Sequence, residues 1–212
     1  QQLRIDFPKK PTQSDIQLEL DTISSPLDGN SIEDLIRLPQ MVNPDKLAAM
    51  QILSKVTVAA WIAAPDLMPL LVAKQVGLSI QYGNALVSLF AYALYGTILC
   101  GIVGNIELGY QFGQLALKLL SESNLHSLRA RTLFVVNVSI THWKKHERER
   151  SQPFLEGYHS GLETGDLEFA AYCAHGYCTQ TYFAGKELVE VERNMATYRT
   201  HLGSLLDELK SK

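Results

Sequence analysis

A chain of 212 residues, 46% hydrophobic and 19% charged, is long enough for one elongated domain or two compact ones and has the make-up of an ordinary globular protein. A net charge of −3 gives no general attraction to nucleic acid or to an anionic membrane surface. The three cysteines, an odd number set in apolar stretches, exclude a disulfide framework and point to small core residues in a reducing, cytoplasmic compartment.

The chain starts Gln1-Gln2 without a basic, apolar leader, so it reads as a segment of something longer and not as a secreted precursor. Residues 1–44 differ from the rest. FPKKPTQSD and SSPLDGN carry the Pro, Ser, Asp and Gly that punctuate loops, and IQLELDT between them is too short to assign to strand or helix. The stretch therefore reads as a lead-in linker, with one short helix opened by the Ser31 and Asp34 N-cap pattern and ended before Pro39.

Asn43-Pro44-Asp45 starts the first long helix, with proline at an early position where its missing N–H costs nothing. Leu47, Met50, Leu53, Val56 and Ala60 recur at helical steps of three and four, and the helix ends near Ala64. A return helix runs from Pro65 to Tyr82 and is closed by Gly83-Asn84. Further helices are predicted over 85–103, 106–121, 125–145 and 148–165, with Gly104-Asn105 as one turn and Gly165 as a stop. Pro153 belongs in the first turns of the helix that holds it. Asp166 caps a helix over 166–183, and Ala184-Gly185 turn into a last one reaching about Leu209. Eight long helices and no credible strand make the fold class all-α.

A pattern returns along this array. Ala91, Tyr92, Gly96, Glu107 and Leu108 come back as Ala171, Tyr172, Gly176, Glu187 and Leu188, 80 residues on. Helical segments also fall at half that offset, and a period of about 40 residues built from two helices is the signature of an α-solenoid. Residues 45–212 thus read as one helical-repeat domain of about four antiparallel hairpins, with Val56, Gly96, Val136 and Gly176 in equivalent packing positions.

The uncharged stretch 85–103 has the length of a membrane span. Against that reading, the helices in the same repeat role carry charges, and no Lys or Arg between Lys74 and Lys118 anchors a span. A helix apolar all round is also what the buried middle of a solenoid requires, with Gly96, Gly101 and Gly104 allowing close approach. No membrane span is expected.

Candidate chemistry is sparse. Cys173, His175 and Cys178 point in divergent directions on a helix and do not converge on one ion. His142 and His146 share a face, but HExxH requires a second His where Arg150 stands. The one basic run, HWKKHERER over 142–150, is too short for a nucleic-acid footprint and reads as a hydrated bend. There is no phosphate-binding GxxxxGK[ST] loop and no spacing that supports a Ser-His-Asp or Cys-His pair. Tyr92, Tyr110, Phe112, Tyr158 and Tyr172 read as fillers of gaps between helices. The expectation is no catalytic residue, no cofactor and no metal.

Setting the repeats in register gives two rows on the first helix of each pair: Thr57, Thr97, Asn137 and Tyr177, then Trp61, Gly101, Thr141 and Thr181. These are mostly polar or small in otherwise apolar helices. As a solvated groove they make Thr97, Asn137, Thr141, Tyr177 and Thr181 the candidate partner-binding residues, exposed on one face. The alternative is that they are buried groups bonded to carbonyls one turn back.

Several long motifs carry a resemblance. SIEDLIRLPQMVNPDKLAAMQIL, KQVGLSIQYGN, GYQFGQLALKLL, the His142-Trp143 and His146 run, and GLETGDLEFAAYCA together resemble the TPR-like helical region of large cyanobacterial signalling proteins. These are the trifunctional serine/threonine kinase, ATP-binding protein and sensor histidine kinases. The resemblance spans about residues 31–200 and implies a parent with a Ser/Thr kinase domain, a STAND-like ATPase, this region, a GAF domain and a histidine kinase of a two-component system. The kinase and ATPase motifs themselves are absent from this sequence. What is implied is a non-catalytic regulatory scaffold whose partners are neighbouring modules or a signalling protein. The alternative is a small-ligand sensor arm of the ATPase.

Overall fold

The computed structural model describes residues 5–8, 10–27, 32–123 and 126–210. Its regular structure is helical throughout, apart from one isolated parallel bridge between Gln40 and Asn84. Contacts divide the chain into two compact units, Gln1–Ser123 and Asn124–Lys212, where the repeat reading runs one domain from residue 45 to residue 212.

The first unit holds α1 (Gln13–Leu27), a 3-10 turn (Ile32–Arg37), α2 (Pro44–Ala63), a second 3-10 turn (Pro65–Leu67), α3 (Met68–Tyr82), α4 (Ser88–Ile98) and α5 (Ile106–Glu122). Helix α3 is central, packed against α1, α2 and α4, while α5 packs on α4 and on the first 3-10 turn. Helix α1 corrects the linker reading. Its start carries a reciprocal cap in which Thr12 N and Oγ1 donate to Asp15 at 2.8 and 2.6 Å and Asp15 N donates back to Thr12 Oγ1 at 3.3 Å. Those bonds also hold the Asp15 carboxyl below its ordinary range. Leu20 and Ile23 then bury the inner face of α1.

Local signals place the other ends. Asn43 Oδ1 accepts from the main-chain N–H groups of Asp45 and Lys46, and Asn105 Oδ1 accepts from Leu108 N, capping α2 and α5. Gly83, Gly104, Gly165 and Gly185 all take positive φ, the geometry expected of them as stops. A π-helical turn, Leu99–Val103, extends α4 to Gly104, where Asn105 N donates to Leu99 O at 2.9 Å.

The face that α2 buries differs from the expectation at one position. Met50, Leu53, Thr57 and Ala60 are inside, whereas Val56 is 41% exposed. Thr57 is tolerated there because Gln75 Nε2 donates to its Oγ1 at 2.9 Å while that hydroxyl donates to Leu53 O at 2.8 Å. Val56 is therefore not a packing equivalent of Gly96, Val136 and Gly176, which are buried.

The second unit holds α6 (His126–Ser139), 3-10 turns at Thr141–Trp143 and Glu147–Glu149, α7 (Ser151–Thr164), α8 (Leu167–Phe183) and α9 (Leu188–Lys210). Helix α7 packs on α6 and α8, and α9 packs on α8. The α7–α8 seam is narrow. A Cβ on Gly176 would lie 2.7 Å from the Phe154 ring, and one on Gly161 would lie 3.0 Å from the backbone of Ala170. By contrast, space around Gly101 and Gly104 is open, so neither serves a close helix approach. Asp166 stands at the start of α8 but makes no side-chain cap bond; its carboxylate instead accepts from Arg131 Nε and Nη2 at 3.0 and 2.7 Å.

Candidate functional site

The five residues expected to face a partner do not share an exposed face. Thr97 is half-buried and donates to Ala93 O at 3.2 Å. Asn137, Thr141 and Thr181 are 3%, 4% and 5% exposed. Asn137 Nδ2 donates to Leu133 O at 2.8 Å, Thr141 Oγ1 to Val136 O at 3.0 Å, and Thr181 Oγ1 to Tyr177 O at 3.0 Å. Tyr177 is half-buried, its ring 5.9 Å from that of Tyr198 at an edge-on angle. The groove expectation is corrected on this point. A buried hydroxyl or amide without water must find an acceptor, and in a helix the nearest carbonyl is one turn back.

What the polar groups of α6 do is end a helix. Arg150, 4% exposed, donates from Nη1 to Asn137 O at 3.2 Å and pairs through Nη2 with Glu147. Burial, and then the Arg150 guanidinium, hold the nearby His142 below the ordinary histidine range. The run 142–150 is thus not simply a hydrated bend. Its last residue is a buried anchor, which composition does not reveal. Lys144 and Lys145 remain exposed.

Among the described residues no three His, Cys, Asp or Glu side chains gather as a metal site. His175 is exposed while Cys173 and Cys178 are buried, the divergence that helical spacing predicts. Burial first, with Asp166 second, pushes the Cys173 thiol up to about 12, so it is a core group without thiolate character. Of the aromatic residues, Tyr92, Phe112 and Tyr158 are buried fillers, Tyr110 is half-buried, and Tyr172 is exposed.

Two surface features of the first unit stand out. Ile52 and Val56, one turn apart, and Trp61 and Ile62 near its end leave large apolar side chains of α2 in solvent, at 52%, 41%, 49% and 80% exposure. Among the described residues α2, and not the 85–103 stretch, is the one helix long and apolar enough to cross a membrane. Most of 85–103 is buried in the unit instead. The second feature is a trough of about 390 Å³ between the Ile32–Arg37 turn and α5, with Ile32, Ile36 and Leu115 as apolar walls and Glu107, Gln114 and Lys118 along α5. The amide nitrogen of Gln114 is sealed from solvent and has no hydrogen-bond partner.

The class these observations define is an all-helical protein with an outward apolar helix face and a polar-edged trough. No protein-family model, curated protein or solved structure matches the chain.

Proposed function

We propose that the chain is a non-catalytic helical-repeat module of a multidomain signalling kinase, coupling a STAND-like ATPase module to GAF and kinase modules in the cytoplasm. The observation that carries this reading is the outer face of α2. Large apolar side chains left exposed one turn apart on a helix mark a contact surface. The occupant that fits Ile52 and Val56, four residues apart on one helix face, is an apolar helix of a neighbouring module.

Element boundaries support a repeat. The first helix of each pair, with any 3-10 or π turn that extends it, ends at Ala63, Val103, Trp143 and Phe183, 40 residues apart each time. The returning segments begin at Pro65, Ile106, Glu147 and Leu188, each 41 residues after the last. A two-helix unit of nearly constant length that buries one face on its neighbour gives this spacing, the connecting turn being one residue longer in each successive unit. The sequence resemblance supports the signalling context.

The test mixes the chain with separately expressed ATPase, GAF and kinase modules of its parent and follows association by calorimetry. Wild type binds one of them, and an Ile52→Lys, Val56→Lys variant that keeps its melting temperature binds at least about tenfold more weakly. Equal binding by both would overturn the docking reading, and co-flotation with vesicles through α2 would replace it with membrane contact.

The trough beside α5 favours a second reading, the small-ligand sensor, because its volume lies in the range of ligand pockets.

A further inference from the structure

We propose that the end of the second unit at which α6 and α8 finish rests on a lipid surface containing anionic phospholipid, with Trp143, Tyr182 and Phe183 in the interface. The inference goes beyond the docking and ligand-sensing readings and uses none of their residues.

Helix directions bring these rings to one end. Ser160 and Glu156 on α7 meet His126 and Arg129 at the start of α6, while Arg150, just before α7, reaches Asn137 near the end of α6, so the two helices are antiparallel. Gly161, Gly157 and Phe154 of α7 lie in turn against Ala170, Cys173 and Gly176 of α8, so this pair is antiparallel too. Helices α6 and α8 therefore run the same way, pack on each other and finish where α7 begins. Carried back past Phe154, the same register brings the Glu147–Glu149 turn to the last residues of α8, and that turn packs on α8.

Main-chain bonds fix both tips. Trp143 N donates to Ile140 O at 3.2 Å, and Lys144 N and Lys145 N both donate to Thr141 O, at 3.0 and 2.9 Å. Gly185 N closes on Tyr182 O and Lys186 N on Thr181 O, each at 3.1 Å. On these folded turns Trp143, Tyr182 and Phe183 are 49%, 54% and 67% exposed. Large apolar groups stand outside at matching places in the first unit as well: Ile102 and Val103 precede Tyr182 and Phe183 by 80 residues, and Ile62 precedes Ile102 by 40. A place that is apolar and exposed each time serves a contact outside the core of the chain.

Chemistry selects the occupant. Lys144 and Lys145 follow Trp143, Lys186 follows Phe183 after a short turn, and Arg148 lies on the turn against α8; all of these cations are exposed. Among their acidic neighbours, Glu147 pairs with Arg150, and Glu187 and Glu190 stand at the start of α9, where they offset the positive end of its dipole. That leaves Glu149 beside the cations, so the rings carry the contact and charge tunes it. Indole and phenol rings favour the boundary between headgroups and acyl chains, and lysine stems reach from that depth to the phosphates. A partner helix would be met by side chains laid along one face, whereas rings on the tips of two turns enter a soft, flat boundary one by one.

The test is flotation of the full chain on a density gradient with vesicles of phosphatidylglycerol and phosphatidylcholine in equal parts, beside vesicles of phosphatidylcholine alone. We expect flotation, at least about fivefold stronger with the anionic vesicles, which is what one basic residue at such a surface supplies. In a Trp61→Phe chain Trp143 is the one tryptophan left of two, and its emission should shift to the blue and be quenched by brominated lipid. A Trp143→Ser, Tyr182→Ser, Phe183→Ser chain whose circular dichroism and melting are unchanged should partition at least about tenfold less. Lys145→Glu, Lys186→Glu should abolish the preference for anionic vesicles. Absence of flotation, unshifted Trp143 emission, equal flotation of the serine chain or an unaltered preference in the glutamate chain would each overturn the anionic lipid surface. Loss of flotation in Ile52→Lys, Val56→Lys instead would move lipid contact to α2 and overturn it too. A serine chain that loses a soluble parent module while vesicles bind neither chain would make this end a protein contact.

Discussion

Arg150 donates from Nη1 to the main-chain carbonyl of Asn137 at 3.2 Å, and the Asn137 side chain in turn donates to Leu133 O at 2.8 Å. Thr141 takes Val136 O as well. Among the last carbonyls of α6, Val136 O takes Ile140 N as well as the Thr141 hydroxyl and Asn137 O is held by Arg150 where the next turn of a continued helix would bond it; α6 stops at Ser139 and does not run to 145. A guanidinium at a helix C-terminus also meets the negative end of the helix dipole.

This anchor makes Arg150→Met destabilising. Its Glu147 partner is only partly buried, which reduces the worth of the ion pair, so a loss of about 2 kcal/mol is expected from the charged hydrogen bond and the released carbonyl. Urea denaturation measures it. A change within about 0.5 kcal/mol, the range of an ordinary surface substitution, would mean that Arg150 contributes nothing.

Asn84 ties three segments of the first unit. Its Nδ2 donates to Leu35 O at 2.7 Å, its Oδ1 accepts from the buried Tyr92 hydroxyl at 2.8 Å, and its backbone bonds Pro39 and Met41. Asn84→Ala removes the acceptor of the Tyr92 hydroxyl, leaving it only Ser79, and should cost about 1 to 3 kcal/mol. In a Tyr92→Phe background the same substitution should cost less, because the hydroxyl that loses its acceptor is gone. Additive losses in that double-mutant cycle would contradict the coupling.

Two glycine substitutions separate crowding from backbone entropy. Gly176→Leu drives a side chain into the Phe154 ring and should lose about 1 to 3 kcal/mol. Gly77→Ala, within α3 and with open space where its Cβ would stand, should gain about 0.5 to 1 kcal/mol. Thermal melts of the two variants moving in the same direction would refute the assigned environments.

Burial raises the Cys173 thiol from 9.0 to about 12. In the unfolded chain the thiol ionises above pH 9.0 while in the folded chain it stays protonated, so its contribution is complete below 9.0 and is lost as pH rises toward about 12. Stability measured by denaturant should therefore fall through this alkaline window, and less steeply in Cys173→Ala. At pH 8 a thiol-alkylating reagent should leave Cys173 unmodified in the folded chain and label it in urea. Rapid labelling of folded protein would contradict its enclosure.

The ends of the helices were legible in the residues alone because each depends on a few neighbours. Gly83, Gly104, Gly165 and Gly185 take φ values that side chains resist, and Asn43 accepts the first N–H groups of α2 wherever that helix packs. Helix α1 carried a readable signal too, the Thr12 and Asp15 box followed by Ile16, Leu20 and Ile23 at helical spacing, obscured by the prolines around it. Tertiary structure decided what no local rule contains. Helix α2 is apolar on both sides, so periodicity cannot say that Thr57 turns inward and Val56 outward; Gln75, eighteen residues away on α3, selects the face by supplying the hydrogen bond. Asp166 likewise occupies a cap position yet spends its carboxylate on Arg131, and Asn137 and Thr181 look like groove residues until neighbouring helices exclude water from them. Capping is set by groups within one turn, whereas burial and pairing are set by surfaces that meet only when distant segments pack.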